Sequence, residues 1–280
     1  MPTLRVNGAT LWYTDQGTGP DTIVFAHGLL WDGRMFGAQV AALSGRCRCI
    51  TFDFRGQGRS EVTADGYDMD TLSGDAAALI QALGAAPCHF VGLSMGGFVG
   101  MRLAARRPEL VRSLVLMETS ADGEPAENAP KYRAMGLVGR LFGRLGFRLV
   151  AGRVMRIMFG RKFLDDPARA AERAEWRQRL LSNHRVGITR ALGGVIDRAP
   201  VYDELDKIAC PTLVMVGDQD VATVPATAGR IHAAIAGSRL VTIPGAGHTS
   251  IAEEPAFVTA ALEAFLWSQS SSAPVGQPAG

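Results

Sequence analysis

His89-Phe90-Val91-Gly92-Leu93-Ser94-Met95-Gly96-Gly97 decides how this chain is read. Its first five residues are a short apolar run of strand length, the stretch 98–106 that follows is helix-like, and G-x-S-x-G occupies the turn between them. A serine in such a turn stands clear of the backbone at the end of a sheet, which is the context the motif requires. The glycines have a steric reason: side chains two residues before and after the serine would collide with the neighbouring strand and helix. Gly97 extends the small surface. Alone the pentapeptide is weak, because 33 glycines are present and a glycine-rich turn packing a helix on a sheet has the same letters.

Context sharpens it. A serine hydroxyl is a poor nucleophile without a base, so the motif predicts an orienting carboxylate and then a histidine further along. Thr212-Leu213-Val214-Met215-Val216-Gly217 reads as a buried strand, with Asp218-Gln219-Asp220 at its carboxyl end. Arg239-Leu240-Val241-Thr242-Ile243 reads as another, followed by the loop Pro244-Gly245-Ala246-Gly247-His248.

Around these motifs, residues 4–6 and 10–13 read as a hairpin about Asn7-Gly8. Strands at about 22–26, 47–53, 88–93, 112–117, 212–217 and 239–243 alternate with helix-like segments at about 34–43, 70–83, 95–106, 224–235 and 255–267. That alternation implies an α/β fold with a mainly parallel eight-stranded sheet and helices on both faces. The candidate groups fall at strand carboxyl ends, where ligands bind in such sheets. Between the sixth and seventh main strands the alternation stops, and 120–200 reads as helices alone. The expected division is a core of 1–119 and 201–268, a helical insertion at 120–200, and a polar, unstructured tail at 269–280.

With these motifs in order, the chain resembles the α/β-hydrolase family in its serine-nucleophile branch. The resemblance spans most of the chain: Val24-Phe25-Ala26-His27-Gly28, Asp53-Phe54-Arg55-Gly56-Gln57-Gly58-Arg59-Ser60, the serine turn, Gly217-Asp218-Gln219-Asp220 and Gly245-Ala246-Gly247-His248. It implies Ser94 as nucleophile, His248 as general base and then acid, and Asp220 as the residue fixing the imidazole tautomer. It also implies an oxyanion hole made by the backbone N–H groups of Leu29 and Met95, and a cap at 120–200. Asp218 competes with Asp220, and the family spacing of a glycine followed three positions later by the acid selects Asp220. Glu118, ending the strand 114–117, is a rarer alternative acid and reads first as a polar rim residue. His27 reads as a structural histidine shaping the oxyanion loop, and Asp53 and Arg55 as turn-fixing groups. His89, His184 and His232 read as structural or solvated.

Composition agrees. A chain of 280 residues buries a large core, and a 47% hydrophobic share suits a soluble enzyme. No run of eighteen apolar residues exists, so no membrane span is expected, and the start at Met1-Pro2-Thr3 lacks signal-peptide features, making cytoplasmic the expectation. Cys47, Cys49, Cys88 and Cys210 form no metal or redox pattern and read as reduced core cysteines. Phosphate-loop, dinucleotide and zincin signatures are missing, so no cofactor is implied.

The cap segment is basic, with sixteen Lys and Arg against eight Asp and Glu between 121 and 200. Arg140, Arg144 and Arg148 recur every four residues beside the apolar row Leu137, Leu141 and Leu145. The first reading is the solvated face of an amphipathic helix. Attraction of an anionic substrate and shallow contact with a membrane surface are the alternatives. Nucleic acid is not expected, because the charge is not interleaved with stacking aromatics.

The resemblance implies a small-molecule ester or lactone as substrate, with ester hydrolysis the most economical reaction. A 3-oxoadipate enol-lactonase type of activity comes second, from the likeness around Gly92–Gly97 and Glu118-Thr119-Ser120-Ala121. Thr249 after His248 disfavours carbon–carbon hydrolases, which often carry tryptophan there, and Leu29 disfavours cofactor-free perhydrolases, which usually carry an aromatic residue there. A ligand receptor on the same fold is the reading of a different class, since fold alone does not fix function.

Overall fold

The computed structural model describes residues 2–270. Eight strands form one sheet: β1 (Thr3–Val6), β2 (Ala9–Gln16), β3 (Asp21–Ala26), β4 (Cys47–Phe52), β5 (Cys88–Leu93), β6 (Val111–Met117), β7 (Thr212–Gly217) and β8 (Arg239–Ile243), in the spatial order β1-β2-β4-β3-β5-β6-β7-β8. The β1–β2 hairpin turns on Asn7 and Gly8, both at positive φ as a two-residue hairpin turn demands, and it joins antiparallel to β4. From β4 to β8 all pairings are parallel.

Parallel strands covered on both sides are nearly continuous apolar runs, and β5 and β7 are buried from end to end, with His89 and Thr212 their buried polar residues. The pleat divides those side chains between two cores. Phe90, Leu114 and Val214 pack with α2 (Met69–Ala82), α3 (Met95–Arg106) and α8 (Pro225–Ala234) on one face. Val91, Val115 and Leu213 pack with α1 (Gly37–Leu43) and α10 (Pro255–Ser270) on the other. The last helix runs two residues into the stretch expected as a tail, and 271–280 lies outside the described residues.

Between β6 and β7 the chain inserts α4 (Ala129–Met158), α5 (Arg161–Asp165), α6 (Ala170–Leu181) and α7 (Arg185–Ile196). The two ends of the insertion meet, the Val201 N–H donating to the Ala121 carbonyl at 2.8 Å. Arg140, Arg144 and Arg148 do not ride on one continuous helix: α4 breaks at Gly143, at φ 54° and ψ −129°, a conformation open to glycine. The two halves then cross closely, a Cβ on Gly146 standing only 2.2 Å from the Val138 carbonyl oxygen.

Candidate active site

β5 ends at Leu93 and α3 starts at Met95, which leaves Ser94 to make the turn alone at φ 54° and ψ −110°. That backbone is strained for a residue with a side chain. It is held by the Ser94 N–H donating to Met117 O and by the Thr119 hydroxyl donating to Ser94 O, both at 2.8 Å. A Cβ on Gly92 would lie 2.3 Å from the Gly96 carbonyl oxygen, and one on Gly96 only 2.0 Å from that of Ala26. The motif's glycines are thus places where backbone meets backbone.

His248, on the loop after β8, brings Nε2 to 2.9 Å from Ser94 Oγ and Nδ1 to 2.8 Å from Asp220 Oδ2. Asp220 Oδ1 accepts the N–H groups of Ala222 (2.8 Å) and Thr223 (3.0 Å), and Oδ2 also accepts the Thr223 hydroxyl (2.8 Å). An acceptor-only carboxylate facing Nδ1 puts the ring hydrogen on that nitrogen and leaves Nε2 free to take the serine proton. All three side chains are buried. Asp218 instead accepts the exposed Gly245 N–H at 2.8 Å, stapling the loop that carries His248.

Glu118 is fully buried rather than on a rim, at φ 42°, its carboxyl facing the Ser250 hydroxyl and the Gly217 N–H without a well-formed hydrogen bond. Burial first, and the Asp220 charge second, push its pKa well above the usual carboxylate range.

Leu29 follows Gly28 at the end of β3, packed against both cores, and Leu29 and Ser94 line the same cavity. Met95 is the first residue of α3, where a helix leaves its N–H groups without an internal partner. His27 is locked: Nδ1 bonds the Gly28 carbonyl at 2.8 Å and Nε2 accepts the Phe54 N–H at 2.9 Å, while burial lowers its pKa. Asp53 accepts the N–H groups of Gly33 (2.8 Å) and Arg59 (2.9 Å), and Arg55 clamps the buried Asp75 at 2.5 and 2.7 Å. His89 bonds Ser113, His184 caps α7 by accepting the Gly187 N–H, and His232 bonds Ser238. The four cysteines are unpaired thiols, and burial pushes Cys49 and Cys88 up to about 12.

Two supporting residues escaped the sequence reading. Gln57 accepts the Leu30 N–H at 3.0 Å and reaches Met95 Sδ at 3.7 Å, bridging the two sides of the expected oxyanion hole. Its position inside Asp53–Ser60 was the available signal. Glu253, on α9 (Ser250–Glu253), accepts the N–H groups of Gly247 (3.0 Å) and Thr249 (3.1 Å), which flank His248, and that of Gly160 (2.7 Å) just before α5. It acts on backbone alone, so no side-chain pattern announces it.

The serine opens onto a cavity of about 150 Å³ whose walls are mostly apolar, including Phe98, Met135, Phe147, Val154 and Leu192. Arg198 reaches this cavity, but its guanidinium is taken by Glu124 at 2.8 Å and by the carbonyls of Asp122 and Val195. Arg140, Arg144 and Arg148 do not line it. Among the described residues no cluster of three or more His, Cys, Asp or Glu could hold a metal ion, and no helix is long and apolar enough to cross a membrane.

Comparison with known proteins places this geometry among relatives. A Mycobacterium tuberculosis protein named "putative non-heme bromoperoxidase" is 34% identical over 277 residues, covering 91% of this chain and 97% of that protein. The enol-lactonase of Burkholderia xenovorans superposes with a TM-score of 0.87 at 29% identity, covering 95% of this chain and all of that one (100%). A thermophilic esterase from Thermogutta terrifontis superposes at 0.88 with 28% identity, covering 96% and 99%. The profile of the alpha/beta hydrolase family matches residues 23–261. With that match running from β3 into α10, across the serine turn and both loops that meet it, the chain belongs to the alpha/beta hydrolase family.

Proposed function

We propose that this protein hydrolyses carboxylic esters of small to medium acyl chain through an acyl-enzyme intermediate. The observation that carries the reading is the Asp220–His248–Ser94 relay, at 2.8 and 2.9 Å, opening onto an apolar cavity of about 150 Å³. An apolar cavity of roughly that size accepts a molecule like benzene, which suits a short or medium acyl group and not a long fatty chain.

In this reading Ser94 Oγ attacks the acyl carbon while His248 Nε2 takes its proton, and Asp220 stabilises the resulting imidazolium. The oxyanion rests on the Leu29 and Met95 N–H groups, an interaction that strengthens as charge develops and so lowers the barrier. Collapse expels the alkoxide, which takes the proton from His248. Water then repeats the sequence: His248 removes its proton, its oxygen attacks the acyl carbon, and Ser94 leaves carrying the proton returned by His248.

A lactonase is the second reading, supported by the likeness to the Burkholderia enol-lactonase. The cavity weighs against a carboxylated lactone, because its one arginine, Arg198, is already neutralised by Glu124. A p-nitrophenyl ester series from acetate to palmitate, run beside a carboxylated enol-lactone with the native protein and Ser94→Ala, separates the readings. Turnover of short and medium esters, lost in the variant, is expected. Strong preference for the lactone would replace the ester reading by the second, and saturable binding without turnover of any substrate would point to a receptor.

A further inference from the structure

The corner of α4 gathers most of the large exposed apolar side chains of the described residues. Of the nine large apolar side chains that are exposed among the described residues, five fall between 137 and 149. Leu137, Leu141, Phe142, Leu145 and Leu149 are each between 53% and 70% exposed. The row Leu137, Leu141 and Leu145, which on an ordinary amphipathic helix would be the buried one, faces water. The break at Gly143 is the reason. The crossing halves bury Gly139, Gly146 and Phe147 against each other, and the pocket takes Met135, Val150 and Val154, so the leucines are left outside.

The charge on the same element has one sign. Ala129–Met158 contains seven Lys and Arg and no Asp or Glu. Arg140, Arg144 and Arg148 alternate with the exposed leucines and bond no acid among the described residues. Large exposed apolar side chains concentrated on one short stretch of a folded protein mark a site of contact. Exposed apolar side chains interspersed with cations match the boundary layer of a membrane, where tails accept the former and anionic headgroups the latter. A second copy of this chain fits worse, since two such corners would bring like charges together. An anionic substrate fits worse too, since none of the three arginines reaches the cavity.

We propose that the α4 corner docks on anionic lipid surfaces, the five apolar side chains entering the headgroup layer and Arg140, Arg144 and Arg148 neutralising it. The contact is peripheral. It stands apart from the ester reading, because binding to lipid requires no turnover.

The test is co-sedimentation of the full chain with vesicles of phosphatidylcholine alone or mixed with phosphatidylglycerol, at low and high salt. Each arginine near an anionic surface is worth about 1 kcal/mol, roughly fivefold in partitioning. The triple variant R140Q/R144Q/R148Q is therefore expected to bind anionic vesicles on the order of a hundredfold more weakly, and raising the salt should weaken native binding in the same direction. Leu145→Glu, which leaves the charged side chains in place, should also lower binding. Both variants should keep native turnover of a soluble ester if that activity is found, and native far-UV circular dichroism in any case. Absence of binding to anionic vesicles overturns the proposal, as does binding that neither variant alters. A dimer in light scattering that Leu145→Glu dissociates, with no vesicle binding, would assign the surface to self-association instead.

Discussion

Glu253→Gln should make this protein's stability fall less as pH rises, while making its candidate site work less well. Burial raises the Glu253 carboxyl from its ordinary 4.5 to about 7, against the opposing pull of the Gly247, Gly160 and Thr249 N–H groups. At 1.36 kcal/mol per pH unit, that gap corresponds to about 3 kcal/mol. The folded pKa lies above the unfolded one, so the group's stabilising contribution is fully present below about pH 4.5 and is lost as pH rises through 7. Glutamine, neutral at every pH, does not lose it. The stability of the variant relative to the native chain should therefore climb by about 3 kcal/mol between pH 4.5 and 8, about 6 °C in Tm at roughly 2 °C per kcal/mol. Glu118 is common to both proteins and largely cancels. Losing a charged acceptor beneath two amides that flank His248 should also lower kcat at pH 8. Urea unfolding followed by far-UV circular dichroism at pH 5, 6, 7 and 8 reads the slope directly. Parallel curves for the two proteins would refute the reasoning, because they would mean that burial does not raise Glu253.

Three further outcomes are expected. Asp220→Asn should lower kcat for the best ester by on the order of 10⁴-fold by favouring the wrong imidazole tautomer, whereas Asp218→Asn, which removes only a loop staple, should leave kcat largely intact; steady-state kinetics distinguish them. Gly96→Ala drives a Cβ to 2.0 Å from the Ala26 carbonyl oxygen and should cost about 1–3 kcal/mol in urea unfolding. Gln57→Leu deprives the Leu30 N–H of its 3.0 Å acceptor and, by loosening the adjacent Leu29 amide, should lower kcat about a hundredfold with KM little changed; a variant that altered KM alone would contradict that role.

The sheet was legible because parallel strands covered on both faces are mostly apolar, and 88–93 and 212–217 depart from that only at His89 and Thr212, whose polar atoms bond Ser113 and the Cys210 carbonyl. Ser94 and His248 were legible because their motifs carry backbone constraints that glycine alone satisfies. The choice between Asp218 and Asp220 rested on family spacing; the physical difference lies in their partners, the Gly245 amide for one and His248 Nδ1 for the other, which are distant in sequence. Glu118 read as a rim residue because a carboxylate after an apolar strand usually meets water, and its burial follows from packing around Asp220 and α9. Gln57 and Glu253 were hidden because they bond backbone amides, whose positions depend on tertiary structure. In the insertion helix was legible but its path was not: Gly143 resembles the other glycines of α4, and its positive φ arises only when the two halves cross.

Most of the cavity wall and the three candidate catalytic side chains come from different stretches of the chain. Fifteen of the twenty-two residues that line the cavity lie between Glu124 and Arg198, one uninterrupted stretch of chain. Ser94, Asp220 and His248 lie outside it, each anchored to a strand end. Substitutions, duplications or exchange within that stretch can reshape what is admitted without touching how it is attacked. A chain built this way can change what it admits by substitution in one segment while the strand-end loops that carry the three side chains stay as they are.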